Sequence, residues 1–395
     1  MAQQIILQKE QTQLQVAIVE HGRLAEYYLQ RDDASPVNGS IYRGVVESVL
    51  PGMQAAFVNI GWDRSAYLPL EQQQPLKAGQ SVVVQIQKEA VDAKGPKVST
   101  ELSIQGRTMV LLPGKYQVNI SKKITGTETR QALKQMADQF LPADGNLGVI
   151  IRTAAEQCSQ DELAQEFAWL CAQWESLQKN IAQVQKPGLI AVDQHQGARI
   201  IRDCVKLDDL DGIYVNDYAL YEALQQQIPE RNIRFKLHWR EGNLLEQFQL
   251  EGEIRTIHKR QVLLKSGAML VIDRTEAMNV VDVNTASFVG KHELQDTIVQ
   301  TNLEAVQEIA WQIRLRNLSG IILIDFIDMK QPEHQDMVCK ALEETLKQDR
   351  VKAKVHGISH LGLVEVTRQK VRAPLTEVME MPCPQCKERG RVPKQ

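Results

Sequence analysis

Two aspartates interrupt strongly apolar runs, Asp282 in NVVDVN and Asp325 in IILIDFI. Burying an unpaired carboxylate costs several kcal/mol, so each alone reads as a satisfied structural residue, a strand-end turn or a ligand. Together they read differently. They sit in consecutive strand-like runs of a strand-helix-strand unit, and in α/β folds such strand ends share one edge of the sheet, where ligands bind. Both carboxylates are expected in or at the end of buried strands, close enough to require a shared proton or a cation. Mg2+ takes one or two protein carboxylates, keeps several waters and accepts phosphate oxygens. The chemistry that follows is metal-assisted phosphodiester hydrolysis, with Asp282 and Asp325 as ligands and a polarised water as the attacking group. Asn284, two residues on and on the same side of a strand, either orients a carboxylate or water or starts a turn. Asp328 is expected to face elsewhere.

Other residues point to an anionic polymer. From Arg350 to Arg372 the chain carries six Lys or Arg (Arg350, Lys352, Lys354, Arg368, Lys370, Arg372) against one acid, Glu365. Such a run is either a solvated face or, just after the second carboxylate strand, a phosphate-contacting surface. Phe57 and Tyr67 interrupt strand patterns as core rings or as exposed rings that stack on bases, with Lys88 nearby for the backbone. Cys383 and Cys386, in CPQC, have the spacing of a zinc knuckle but supply only two of four ligands. They are either half of a Zn2+ site completed by a second copy of the chain or two free thiols in a tail.

Positioning these groups requires several folded units, and 395 residues suffice for about two to four. Between Ile41 and Glu101 the runs IYRGVVESVL, QAAFVNIG, SAYLPL and QSVVVQIQKE, punctuated by glycines, predict a barrel of the OB type. NLGVIIRT reads as a strand, followed by a helix from Gln160 to about Lys179. Residues 188–275 alternate LIAVD, ARIIRD, GIYVND, IRFKLHW, QVLLKSG and AMLVID with one helix near 217–227, an α/β pattern. That unit is the expected partner of IILQ and LQVAIVE near the N-terminus, which would make the barrel and the segment after it insertions. From Ala277 the order is strand, helix (292–317), strand, helix (332–348), strand, with Ile298, Ala305, Ile309 and Ile313 on one stripe of the first helix. The expected class is multidomain α/β with an inserted all-β barrel.

Composition narrows the function classes. Hydrophobic residues at 43% and charged residues at 24% exclude wholesale disorder. No run approaches the roughly 18 apolar residues of a membrane span, and no secretion signal opens the chain. With 46 Lys and Arg against 49 Asp and Glu, the net charge of −3 excludes a histone-like polycation, so nucleic-acid contacts must be local patches. Six cysteines are too sparse for a disulfide framework, which fits a cytoplasmic compartment.

The motifs IYRGVVESVLPGMQAAFVNIG, GVIIRTA, VIDRTEAMNVVDVNT, TNLEAVQEIAWQIRLRNLSGIILIDFIDM and CPQC closely resemble the catalytic region of the ribonuclease E/G family of bacterial endoribonucleases, over nearly the whole chain. The resemblance implies an RNase H-like subdomain split between 1–38 and 195–257, an S1 domain at 39–105 and a 5′-sensor segment at 106–194. A DNase I-like catalytic subdomain at 258–382 and a zinc link at 383–395 follow. It implies Mg2+ on Asp282 and Asp325 with Asn284 in support, and a 5′-monophosphate site at Arg152 and Thr153. Lys352 stands where an Arg is usual, giving a point charge in place of a bidentate grip. Phe57, Tyr67 and Lys88 match the RNA-binding positions of the S1 domain. Cys383 and Cys386 match a half-site that two protomers pool around one Zn2+. The implied activity is Mg2+-dependent cleavage of single-stranded RNA, both rRNA precursors and mRNA. The chain ends nine residues after Cys386, so a homodimer without a degradosome scaffold tail is the expectation. The competing reading is a zinc-clasped RNA-binding scaffold that has lost cleavage, against which the intact DVN and IDF motifs argue.

Overall fold

The computed structural model describes residues 3–31, 38–70, 76–90, 94–114, 116–142, 145–192, 201, 210–227, 236–285 and 294–381. The chain divides into two compact units, one of residues 1–32 and 206–395, the other of residues 33–205.

The first unit opens with three antiparallel strands, β1 (Gln3–Glu10), β2 (Gln13–Glu20) and β3 (Arg23–Arg31). The chain then builds the second unit. β4 (Ile41–Leu50), β5 (Ala55–Asn59), β6 (Ala66–Pro69), β7 (Ser81–Lys88) and β8 (Lys97–Ser99) form a closed five-stranded barrel, because β4 pairs with both β5 and β7. Val46, Val58, Leu68, Val84 and Ile86 fill it. Closure is tight at Gly44, where a Cβ would overlap the Val58 side chain, so only glycine fits.

β9 (Ile104–Gln105), β10 (Met109–Pro113), β11 (Val118–Ile120) and β12 (Leu147–Ile151) make a sheet in the order β11-β12-β10-β9. Helices α1 (Thr127–Phe140) and α2 (Gln160–Gln183) contribute Leu133, Leu163, Phe167 and Leu170 to a shared core with Met109, Leu111, Val149 and Ile151. A capping box starts α2: the Glu162 backbone N–H donates to Ser159 Oγ at 3.3 Å, and the Ser159 backbone N–H donates to Glu162 Oε2 at 2.7 Å. β13 (Gly188–Ala191) then pairs antiparallel with β4. The LIAVD run therefore belongs to the barrel sheet, not to the α/β alternation expected after residue 188; an apolar run does not say which sheet edge it will extend. ARIIRD lies outside the described residues apart from Ile201.

Back in the first unit, β14 (Leu210–Val215) pairs parallel with β1, and β15 (Lys236–Trp239) pairs with β14, giving the sheet order β15-β14-β1-β2-β3. Helix α3 (Tyr218–Gln227) connects them, and the short helices α4 (Leu244–Gln247) and α5 (Glu251–Thr256) follow. A second sheet has the order β16-β17-β18-β19-β21-β20, from β16 (Gln261–Leu263), β17 (Met269–Arg274), β18 (Met278–Asn284), β19 (Gly320–Asp325), β20 (Ala353–Ile358) and β21 (Val364–Arg368). Helices α6 (Leu294–Leu315) and α7 (Pro332–Leu346) cover one face of it; α8 (Leu375–Met379) comes last. Ala305, Ile309 and Ile313 of α6 pack on Val281, Val283, Ile322 and Ile324, each large aliphatic contributing about 1.5–3 kcal/mol on burial. α6 ends at Leu315, Asn317 takes φ 52°, and Gly320 takes φ 81° to start β19.

Three members of the basic run at 350–372 are engaged within the fold, and one of them, Arg368, is buried. Arg368 is buried, donating to Asp349 Oδ2 at 2.7 Å and Asn317 Oδ1 at 2.8 Å. Arg350 pairs with Glu26, and the Arg372 guanidinium lies 3.8 Å from the centre of the Tyr28 ring. Lys352 and Lys354 are exposed.

Glu26 is the buried centre of this network. Burial alone would raise its pKa, but Arg350, Arg314, Tyr28 and Arg372 together bring it down to about 2 from 4.5. A depressed carboxylate pKa stabilises the fold above the unfolded value and loses that stabilisation as pH falls through the folded one. Acidification from pH 4.5 toward 2 is expected to remove about 3 kcal/mol through this residue. Thermal melts across that window should show Glu26→Gln less stable than wild type at neutral pH and less sensitive to acid; parallel acid limbs would contradict this.

Candidate active site

β18 and β19 are parallel, joined through α6, and their registers place Asp282 directly beside Asp325 at the C-terminal ends of both strands. Neighbouring strands stand roughly 4.8 Å apart, so the two carboxylates start from adjacent backbone positions. Alternation settles their face. Val281, Val283, Ile322 and Ile324 point into the helix-covered core, so Asp282, Asn284 and Asp325 lie on the opposite face. Asp282, within β18, is half-buried, and Asp325, the last residue of β19, is exposed, in keeping with carboxylates expected within or at the end of buried strands. The apolar character of both runs comes from their alternate residues.

Asn284 Nδ2 donates to Asp282 Oδ2 at 2.7 Å, fixing that carboxylate and leaving its other oxygen outside this bond. The pKa of Asp325 is raised, first by partial desolvation, then by the charge of Asp282 and then by that of Asp328. Asp328 therefore acts on the same site, contrary to the expectation that it faces elsewhere; the chain leaves the strand after Asp325, so strand alternation no longer governs it. Asp282 and Asp328 thus bring like charge to bear on Asp325.

A residue that sequence reasoning missed holds this edge. Asn302, fully buried on α6, donates from Nδ2 to the Ile327 carbonyl at 2.8 Å and accepts the Ile327 N–H at 3.1 Å. Both bonds fix the turn between Asp325 and Asp328. Its signal was an Asn within an apolar-striped helix, where an amide needs a buried partner.

In the second unit Arg152 and Thr153 follow the end of β12. The Arg152 backbone N–H donates to the Thr108 carbonyl at 2.7 Å, and Arg152 Nη1 donates to the Gly106 carbonyl at 2.9 Å. Glu166 accepts from both the backbone and the hydroxyl of Thr108, at 2.9 and 2.5 Å. Arg152 is half-buried and Thr153 exposed, so the pair presents a guanidinium and a hydroxyl beside one strand end. Lys352, immediately before β20, belongs to the other unit.

On the barrel, strand pairing lines up Phe57, Tyr67, Lys97 and Lys88 as successive cross-strand partners, which places their side chains on one face. The rings are half-buried, 6.2 Å apart and edge-to-face at 67°. They stand outside the barrel core. Lys97 was not foreseen, because it follows residues 91–93, where no sequence signal fixes a strand register. Cys383 and Cys386 lie outside the described residues. Among the described residues no group of three or more His, Cys, Asp or Glu is arranged to hold a metal ion. No helix of the described residues is long and apolar enough to cross a membrane.

Glycine at 106 is required by this geometry: a Cβ there would overlap Glu166 Oε1 and stand 2.8 Å from the Met109 carbonyl oxygen. Gly106→Ala is expected to destabilise the second unit by about 1–3 kcal/mol through overpacking, read from urea unfolding. An unchanged midpoint would show that the contact relaxes freely.

Comparison with known proteins places the chain beside one group. The family model described as Ribonuclease E/G family matches residues 103–371. Ribonuclease G of Escherichia coli strain K12 is 37% identical over 417 residues, covering 99% of this chain and 85% of that protein. Ribonuclease G of Haemophilus influenzae is 35% identical over 416 residues, covering 99% and 84%. Ribonuclease E of Escherichia coli K12 is 32% identical over 416 residues, covering 99% of this chain and 39% of that longer protein.

Proposed function

Because this chain belongs to the ribonuclease E/G family, we propose that it is an endoribonuclease that hydrolyses phosphodiester bonds in single-stranded RNA, using Mg2+ and favouring RNA with a 5′ monophosphate, in RNA processing and turnover. The observation that carries the reading is the adjacency of Asp282 and Asp325 at the ends of two parallel strands. Like charges held together by the backbone call for a cation.

The donor set suits Mg2+. Asp282 and Asp325 offer two carboxylates, which leave the remaining positions to water and phosphate. Asp282 and Asp325 would hold the ion, which when bound neutralises the scissile phosphate and lowers the pKa of the attacking water. Asn284 keeps Asp282 in one orientation, and Asn302 holds the turn that carries Asp328. Attack on phosphorus breaks one P–O bond, leaving a phosphate on one fragment and a hydroxyl on the other.

Phe57 and Tyr67 offer ring faces for stacking, with Lys97 and Lys88 beside them for the backbone. Arg152 and Thr153 would take the 5′ monophosphate, with Lys352 assisting as a point charge. The subdomain reading also stands as a proposal: RNase H-like at 1–38 and 195–257, S1 at 39–105, 5′ sensor at 106–194, DNase I-like at 258–382. The closed barrel and the pairing of β1 with β14 support it. Cys383 and Cys386 are proposed as half of a Zn2+ site shared by two protomers, on their CPQC spacing alone.

The test is cleavage of labelled RNA carrying a 5′ monophosphate or triphosphate, with and without Mg2+. Asp282→Asn and Asp325→Asn are each expected to lose about a hundredfold or more in rate while melting like wild type. Arg152→Gln should lose about tenfold on monophosphorylated RNA and little on triphosphorylated RNA, as expected for one charge-assisted hydrogen bond. Wild-type cleavage by Asp282→Asn would refute the catalytic assignment.

A further inference from the structure

The second unit holds an open cavity of about 820 Å3 beside β11 and the first turns of α1. Neither Arg152 nor Thr153 lines it, and no residue of the barrel does. Val118 and Ile150 give it an apolar wall; Lys122, Arg130 and Lys134 supply its charge, and none of its lining residues is acidic. Arg130 is fixed in place. Its guanidinium donates to the carbonyl oxygens of Ser121 at 2.7 Å, Ile124 at 2.9 Å and Ile120 at 3.4 Å. The turn that carries Lys122 is thereby pinned to α1. Those acceptors are neutral, so the cation is held without being neutralised. Lys122 and Lys134 are exposed and make no ion pair among the described residues.

The surrounding sequence is basic as well. Between residues 115 and 134 it carries five Lys or Arg against one acid, Glu128, in a chain whose net charge is −3. Surface lysines ordinarily alternate with acids, and a patch of one sign beside a concave site concentrates counter-ions. A cavity of this size suits a nucleotide unit better than a bare ion. Carbon walls under a cationic rim match a single strand, whose bases and riboses meet apolar surface while its phosphates meet Lys and Arg.

We propose that this cavity is a second RNA-binding site, lined by neither Arg152 nor Thr153, which holds the phosphodiester backbone of a single-stranded segment. The identity of the polyanion rests on the endoribonuclease reading. The site adds affinity for the body of the substrate, so its loss raises KM and leaves kcat unchanged.

The test uses the full chain and a 5′-hydroxyl oligouridylate, which cannot occupy a 5′-monophosphate site. Binding is measured by fluorescence anisotropy over a series of KCl concentrations. The double variant Lys122→Ala, Lys134→Ala is expected to bind about fivefold more weakly at low salt, with the slope of log K against log salt reduced by about 1.4 for two lost contacts to a single strand. Lys122→Arg with Lys134→Arg should restore both. Unchanged affinity and slope in the alanine variant, with a wild type that binds and cleaves, would overturn this site alone. A wild type that does not bind the oligonucleotide would overturn the site together with the nuclease reading. If inorganic phosphate or uridine monophosphate, at matched phosphate concentration, displaces the oligonucleotide as well as unlabelled oligouridylate does, the cavity belongs to a free phosphate ligand and the RNA assignment fails.

Discussion

The parallel pairing of β18 with β19 is the constraint on which the site depends. It sets Asp282 against Asp325 at one sheet edge, so the two carboxylates start from adjacent backbone positions. Parallel neighbours need a crossover, and α6 provides it, with its apolar stripe buried against the reverse face of the same strands. The core packing that stabilises this layer is thus also what holds two like charges together. Asn302 extends the arrangement by fastening the turn after Asp325, so Asp328 adds its charge to the same place.

Compensation separates structural charges from functional ones. At the opposite end of β19, Arg368 and Asp349 are both buried and answer each other, and Asn317 accepts a further bond from Arg368. Glu26 is likewise surrounded by arginines and held ionised. Such groups order the first unit and have little left to offer a ligand. The carboxylates at the other strand end differ in having amide and carboxylate neighbours, and Asp325 is raised first by partial desolvation and then by the charges of Asp282 and Asp328. Perturbation of that kind in an exposed edge marks a binding site more than a structural pair.

Sequence made the strand-helix-strand unit legible because two apolar strands and a striped helix each carry their own period, and the acids stood out against them. It also located the barrel, whose strands are short and punctuated by glycine. Three features were hidden. Alternation buries Val281 and Val283 but leaves Asp282 half-exposed, and an all-apolar run does not reveal which residues face which way. The basic run at 350–372 looked uniform, yet tertiary pairings, of Arg368 with Asp349 and Asn317 and of Arg350 with the distant Glu26, decide which of its members are engaged within the fold. Lys97 joins Phe57, Tyr67 and Lys88 only through strand register, which depends on how the barrel closes.

The most direct measurement of the central claim is Mn2+ binding, followed by electron paramagnetic resonance as a stand-in for Mg2+. One divalent-ion site is predicted in wild-type protein, competed by Mg2+ and lost in Asp325→Asn at unchanged melting temperature. Equal Mn2+ binding by wild type and Asp325→Asn would contradict the account.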